Sequence, residues 1–280
     1  MKVYRNGVKT YTGGVGDHER APRGDVVGWT AATARRQRDF LWTVDAEALS
    51  GFGYAVTLTM RELTPDAPAF HRLREAWLKR MARMGATRVH WVIEWQARGV
   101  PHLHGAVYFD RELEPMESER LDIDWQQNGA VMLTRHWLQA VRKAGYSAEF
   151  FSQDVKPIDG ALGWIKYLSK HASRGAAHYQ RTGHPESWDK TGRMWGHTGQ
   201  WPTLPPIELG DLSNQEFWRL RRILRNWAVA DAHRAGDVGR ERYLKKAGRP
   251  SERYRSSYQG VAEWVPEDVS LRVIEWMSTE

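Results

Sequence analysis

The sequence predicts an α+β fold built on an antiparallel sheet. Stretches whose apolar residues alternate at every second position are interleaved with stretches that repeat every third or fourth. Two of the alternating stretches, residues 88–95 and 102–109, are separated by little more than a turn, as in an antiparallel hairpin.

Taken in order, residues 1 to about 32 are rich in Gly, Arg and Asp and show little periodicity, which predicts an irregular leader. From Thr33 to Leu49, Phe40, Leu41, Val44 and Ala48 recur at helical spacing up to Gly51. In Tyr54–Met60, Val56 and Leu58 share one strand face and Thr57 and Thr59 the other. Pro65 and Asp66 open a helix whose stripe is Phe70, Leu73, Trp77, Met81 and Met84, and Gly85 closes it. The 88–95 strand puts Val89, Trp91, Ile93 and Trp95 on one face and Arg88, His90, Val92 and Glu94 on the other. After the 102–109 strand come an acidic loop to about Asn128, a helix over 134–143 and a strand around 150–155. Asp159 then caps a helix reaching Ala172, with Ala161, Leu162, Ile165, Leu168 and Ala172 as its apolar face. Gly163, Tyr167, Lys170 and Arg174 line the opposite face.

The composition limits the function classes. The chain has 280 residues and a formal net charge of +7, no cysteine and fifteen tryptophans. There is neither a disulfide framework nor a thiolate metal site, and no apolar run is long enough to span a membrane, so a cytoplasmic protein is expected. The positive charge suits a polyanion, and the indoles could stack on bases, although most tryptophan is core.

Chemistry concentrates in residues 94–109. His102 and His104 are two apart on a strand, so both rings project from the same face while Leu103 points away. Two imidazoles need a third ligand to hold a divalent ion firmly, and Glu94 lies on the same face if residues 97–101 form the turn. Gln96 is the weaker candidate, because an amide is a poorer ligand than a carboxylate. Taken alone, the pair of histidines is weak evidence for a metal, and Tyr167 alone reads as an ordinary surface or half-buried tyrosine.

Together these segments resemble the HUH endonucleases, specifically the rolling-circle replication initiators of bacteriophages and plasmids. The matching pieces are a threonine-bearing strand at 54–59, Glu94-x7-His102-x-His104, and Tyr167-Leu-Ser-Lys170, within about residues 51–175. Gly192-Arg-Met-Trp-Gly196 is similar to a Trp-Gly element that follows the tyrosine helix in initiators of filamentous phages.

The resemblance implies a ferredoxin-like sheet with helices on one face and the metal site on the other, open to solvent or DNA. It implies Glu94, His102 and His104 as ligands of Mg²⁺ or Mn²⁺, and Tyr167 as the nucleophile that cuts single-stranded DNA to a 5′-phosphotyrosine. Lys170 would balance charge at the phosphate, and Lys166, Arg174 and Arg98 would contact DNA. The partner would be single-stranded DNA at a hairpin-bearing origin in a bacterial host cell. Gly163 occupies the position one turn before Tyr167, where some relatives carry a second tyrosine, so one nucleophile is expected. Tyr179 lies outside the motif. No Gly-x4-Gly-Lys-[Ser/Thr] loop is present, which leaves unwinding to a host helicase and synthesis to a host polymerase.

The expected organisation is a leader and helix over residues 1–50, an endonuclease domain over 51–204 and a basic helical extension over 205–280. In the extension, Ser213 and Glu216 form a capping box before Phe217, Leu220, Ile223, Leu224 and Trp227, interleaved with Arg219, Arg221, Arg222 and Arg225. Residues 240–258 form a second basic stretch, and residues 265–277 a short amphipathic helix. Transposases and relaxases share the chemistry, though relaxases usually carry a three-histidine cluster that this chain lacks. A non-catalytic basic DNA-binding protein is the alternative outside enzymology.

Overall fold

The structure, a computed structural model, describes residues 1–10, 24–113, 130–172, 176–182, 184–247 and 261–278. Its elements begin with β1 (Lys2–Tyr4), β2 (Gly7–Lys9), α1 (Ala31–Thr43), β3 (Phe52–Leu58), α2 (Ala67–Arg83), β4 (Ala86–Trp95) and β5 (Pro101–Phe109). They continue with α3 (Ala130–Lys143), β6 (Asp154–Ile158), α4 (Gly160–Ala172), β7 (Trp195–Gly199), β8 (Ile207–Glu208), α5 (Asn214–Arg234), α6 (Val238–Ala247), β9 (Ala262–Glu263) and α7 (Glu267–Ser278). The chain divides into two units, one of residues 22–39 and 45–202, the other of residues 1–21, 40–44 and 203–280.

The larger unit is α+β, around an antiparallel sheet of strand order β6-β3-β5-β4-β7. The succession β3-α2-β4-β5-α3-β6 is the β-α-β-β-α-β order of ferredoxin-like folds, and β7 adds a fifth strand beside β4. Helix α2 begins as the sequence predicts, with the Asp66 carboxylate accepting from Ala69 N at 2.7 Å and proline in the first turn. Its inward stripe of Phe70, Leu73, Trp77 and Met81 packs with Trp137 of α3 against Val89, Ile93, Leu103 and Val107 on one face of the sheet. Burial of each such side chain contributes roughly 1.5–3 kcal/mol, so these helices are anchored by area more than by propensity. β7 lies beside β4 because Gly196 faces Trp91 across the pair. A Cβ there would come within 2.6 Å of the indole, which accounts for the Trp-Gly sequence.

Two expectations need correction. Helices do not keep to one face of the sheet, because α4 lies over the face that carries His90, His104 and Tyr108. It does so through Trp164, Tyr167 and His171, whose spacing of three and four makes its inward stripe. Tyr167 is therefore only 6% exposed, and His104 and Glu94 are buried, rather than facing open solvent. The periodic apolar residues Ala161 and Ile165 are half-buried. Aromatic and imidazole rings carry large apolar surfaces, and here they outcompete small aliphatic groups for the sheet.

Nor is the start of the chain an irregular leader. β1 and β2 form a hairpin, with Tyr4 opposite Gly7, inside a second antiparallel sheet of order β8-β1-β2-β9. Gly7 is required because a Cβ would stand 2.2 Å from Trp42. Three-residue strands are too short to display periodicity, so the hairpin is invisible to a pattern search. In the same unit, α5 opens with the expected capping box between Ser213 and Glu216 and buries Leu220, Leu224, Ala228 and Ala232. Leu220 and Leu224 pack with Val3, Val8, Val261 and Val265.

Smaller differences concern boundaries. α1 ends at Thr43, and residues 150–152 form a 3-10 turn before β6. The acidic loop to Asn128 and most of the basic stretch after Ala247 lie outside the described residues. Among the described residues, no helix is long and apolar enough to cross a membrane.

Candidate active site

Antiparallel pairing of β4 with β5 assembles the carboxylate and the histidines. Glu94 is directly opposite His102, and Val92 is opposite His104. Opposed residues share a face and alternate residues return to it, so Glu94, His102 and His104 all project towards α4. The turn is short: Gln96 N donates to Val100 O at 2.9 Å, and Gly99 supplies the positive φ of 79°. Gln96, the competing ligand, donates instead to Thr59 Oγ1.

Thr57 of β3, opposite His104 on the other side, lies 3.0 Å from His104 Nδ1 through its hydroxyl. That contact orients the ring so that His104 Nε2 is 3.5 Å from Glu94 Oε2. The His102 and His104 rings stack at 5.5 Å with an 8° interplanar angle. Two donors sharing one divalent ion at about 2.1 Å each stand roughly 3–3.5 Å apart, which the Glu94–His104 separation matches. Two imidazole nitrogens and one carboxylate also form a donor set suited to such an ion. The residues therefore fit a metal, although among the described residues no trio of His, Asp or Glu already closes around a point.

The other Glu94 oxygen is taken by Arg181, whose Nε donates to Oε1 at 2.9 Å with both side chains fully buried. Arg181 also donates to Gln37 Oε1 at 2.9 Å and to His171 O at 3.2 Å, and its guanidinium lies 3.9 Å from the centre of the Trp29 ring. Nothing in the sequence singles this arginine out, since it stands in an irregular segment with no motif or period.

Above the strands, Tyr167 stacks against Trp164 and approaches His171, and His171 in turn lies 5.3 Å from His104 between ring centres. The Tyr167 hydroxyl is 2.8 Å from Nδ1 of His90, and Trp195 and His197 of β7 lie alongside. Burial first, then His197 and Arg181, pushes the His90 imidazole down to about 3, so it is neutral near pH 7. Burial first, then the charge of Glu94, holds the Tyr167 phenol well above its ordinary range. The alternation that placed His90 on the mixed face of its strand was the only hint of it in the sequence; His171 gave none beyond its spacing from Tyr167.

The remaining expected residues divide into two groups. Arg98 sits on the hairpin turn and donates to Arg61 O at 3.0 Å and Met60 O at 2.6 Å, tying the turn to the segment after β3. Lys166 and Lys170 lie on α4 with side chains outside the described set, and Arg174 lies outside the described residues. Tyr179, outside the motif, is 70% exposed.

The family model for the replication-associated protein of the ORF2 and gene II protein type matches residues 53–172, from β3 to the end of α4. A putative replication protein of Xylella fastidiosa strain Temecula1 is 41% identical over 277 residues, covering 94% of this chain and 98% of that protein. The replication-associated gene II protein of Pseudomonas phage Pf3 is 36% identical over 286 residues, covering 100% of this chain and 97% of its own. No solved structure matches the chain.

Proposed function

Because this chain belongs to the family of replication-associated proteins of the ORF2 and gene II protein type, we propose that it is a rolling-circle replication initiator of the HUH endonuclease type. It nicks single-stranded DNA at an origin in the cytoplasm of a bacterial host and later rejoins the strands. The observation that carries this reading is the placement of Glu94, His102 and His104 on one sheet face, with His104 Nε2 3.5 Å from Glu94 Oε2, beneath the helix that bears Tyr167.

In this reading Glu94, His102 and His104 hold Mg²⁺ or Mn²⁺. When bound, the ion offsets the negative charge of the scissile phosphate and makes its phosphorus more electrophilic. Thr57 keeps the His104 ring turned towards Glu94. Tyr167 attacks the phosphorus, its oxygen bonds to the 5′-phosphate, and the 3′-oxygen leaves and is protonated to a free hydroxyl. Lys170 balances charge at the phosphate, while Lys166, Arg174 and Arg98 contact the backbone. The phosphotyrosine ester preserves the energy of the cut bond, so a later 3′-hydroxyl reseals the strand without ATP. Gly163 supports a single nucleophile, because a Cβ there would come 3.0 Å from the Ile158 carbonyl carbon.

The test is incubation of the protein with single-stranded origin oligonucleotides and Mn²⁺, followed by denaturing electrophoresis. A covalent protein–DNA adduct is expected, lost with chelator and lost in Tyr167→Phe. An adduct that survives Tyr167→Phe would overturn the assignment of the nucleophile.

A further inference from the structure

We propose that His90 is a positioning residue for Tyr167, accepting the phenol's hydrogen at Nδ1 and so fixing where the hydroxyl oxygen sits and which way its lone pairs point. This rests on the reading of Tyr167 as the nucleophile. The contact is 2.8 Å, between a fully buried imidazole and a tyrosine that is 6% exposed. It stands outside the Glu94, His102 and His104 cluster, two residues along β4 from the position opposite His104.

The ring is itself held on several sides. Trp195 of β7 packs 6.2 Å from it, Tyr167 meets it edge-on at 5.9 Å, and His197 is its cross-strand neighbour. A phenol on a helix turns freely about two side-chain torsions, and a misplaced nucleophile is costly: a displacement of about 1 Å can lower a rate about 10²-fold. One hydrogen bond to a ring that cannot itself move removes that freedom. With its proton committed to Nδ1, the phenol oxygen keeps its lone pairs for the phosphorus.

Positioning, not outright proton removal, is the role the electrostatics favour. Burial holds the imidazole at about 3 while the phenol is held above its ordinary range, so a proton given up to His90 before attack would return at once. The neutral ring is nonetheless a permanent acceptor at physiological pH.

The experiment compares covalent adduct formation in single turnover for the wild type, H90N, H90F and Y167F. An asparagine carries an acceptor oxygen where Nδ1 stands but takes no proton, and phenylalanine carries neither. Expected are a rate for H90N within about tenfold of the wild type and a loss of about 10²-fold for H90F, with DNA affinity unchanged in both. A wild-type or faster rate in H90F would overturn the proposal, and so would an H90N as slow as H90F. A second measurement reads the contact without turnover and holds even if H90F does not fold. In ¹⁵N-histidine spectra His90 should show an unprotonated Nδ1 whose shift moves in Y167F, and a protonated Nδ1 would overturn the inference. An adduct persisting in Y167F defeats the nucleophile reading instead, whatever His90 shows.

Discussion

Arg181 donates to Glu94 across 2.9 Å with neither side chain exposed, so the carboxylate expected to bind a metal already lies against a permanent positive charge. A buried pair is costly to break, because removing one partner strands the other charge in a medium that solvates it poorly. Arg181→Met should therefore destabilise the protein by about 3–5 kcal/mol, read as a lower urea midpoint with an unchanged slope. A loss below about 1 kcal/mol would mean that water reaches Glu94 once the guanidinium is gone.

Thr57 acts on His104 from the neighbouring strand. Replacing it with valine keeps the shape and removes the oxygen, so Mn²⁺ affinity should fall about 10–100-fold while the fold is retained. Titration calorimetry checks this directly, and unchanged affinity would show that the ring is held by packing alone.

His90 makes stability depend on pH. Its folded value of about 3 lies below the ordinary value of 6.5, so between the two the unfolded chain binds the extra proton. This contribution is complete above pH 6.5 and declines as pH falls towards 3, with a slope of up to about 1.4 kcal/mol per unit. The stability of H90N should fall less steeply than that of the wild type between about pH 6.5 and 5, measured by urea unfolding. Parallel slopes would contradict the burial of a neutral ring.

Gly163 lies against the end of β6, where a Cβ would stand 3.0 Å from the Ile158 carbonyl carbon. Gly163→Ala gains about 1 kcal/mol of helix propensity but must push backbone apart at a cost of about 1–3 kcal/mol. A net loss of about 1 kcal/mol is expected in thermal unfolding, and a stabilised variant would show that α4 can lift. Gly163→Tyr should lose more, and should add no second adduct.

Much of the site was legible because strand geometry is local. Two-residue alternation puts His102, His104 and Glu94 on one face with no help from distant contacts, and a short turn between β4 and β5 suffices to align them. Helix α2 was equally plain, since its cap, stripe and terminal glycine agree. The reading of α4 went the other way. Ala161, Ile165 and their neighbours look like an apolar face, yet the sheet takes Trp164, Tyr167 and His171, because burial is decided by what the opposite surface offers.

By itself, then, the sequence determined the α+β class, the order of the strands and helices around the site, and the shared face of Glu94, His102 and His104. All three follow from periodicities of about two and 3.6 that operate over a few residues. Only the tertiary structure decided that α4 closes over that face, that Arg181 reaches Glu94 from 87 residues away, and that Tyr167 meets His90 across 77. Such contacts join residues distant in the chain, and no local pattern encodes them. They are selected when packed surfaces exclude water and every buried polar group must find a partner.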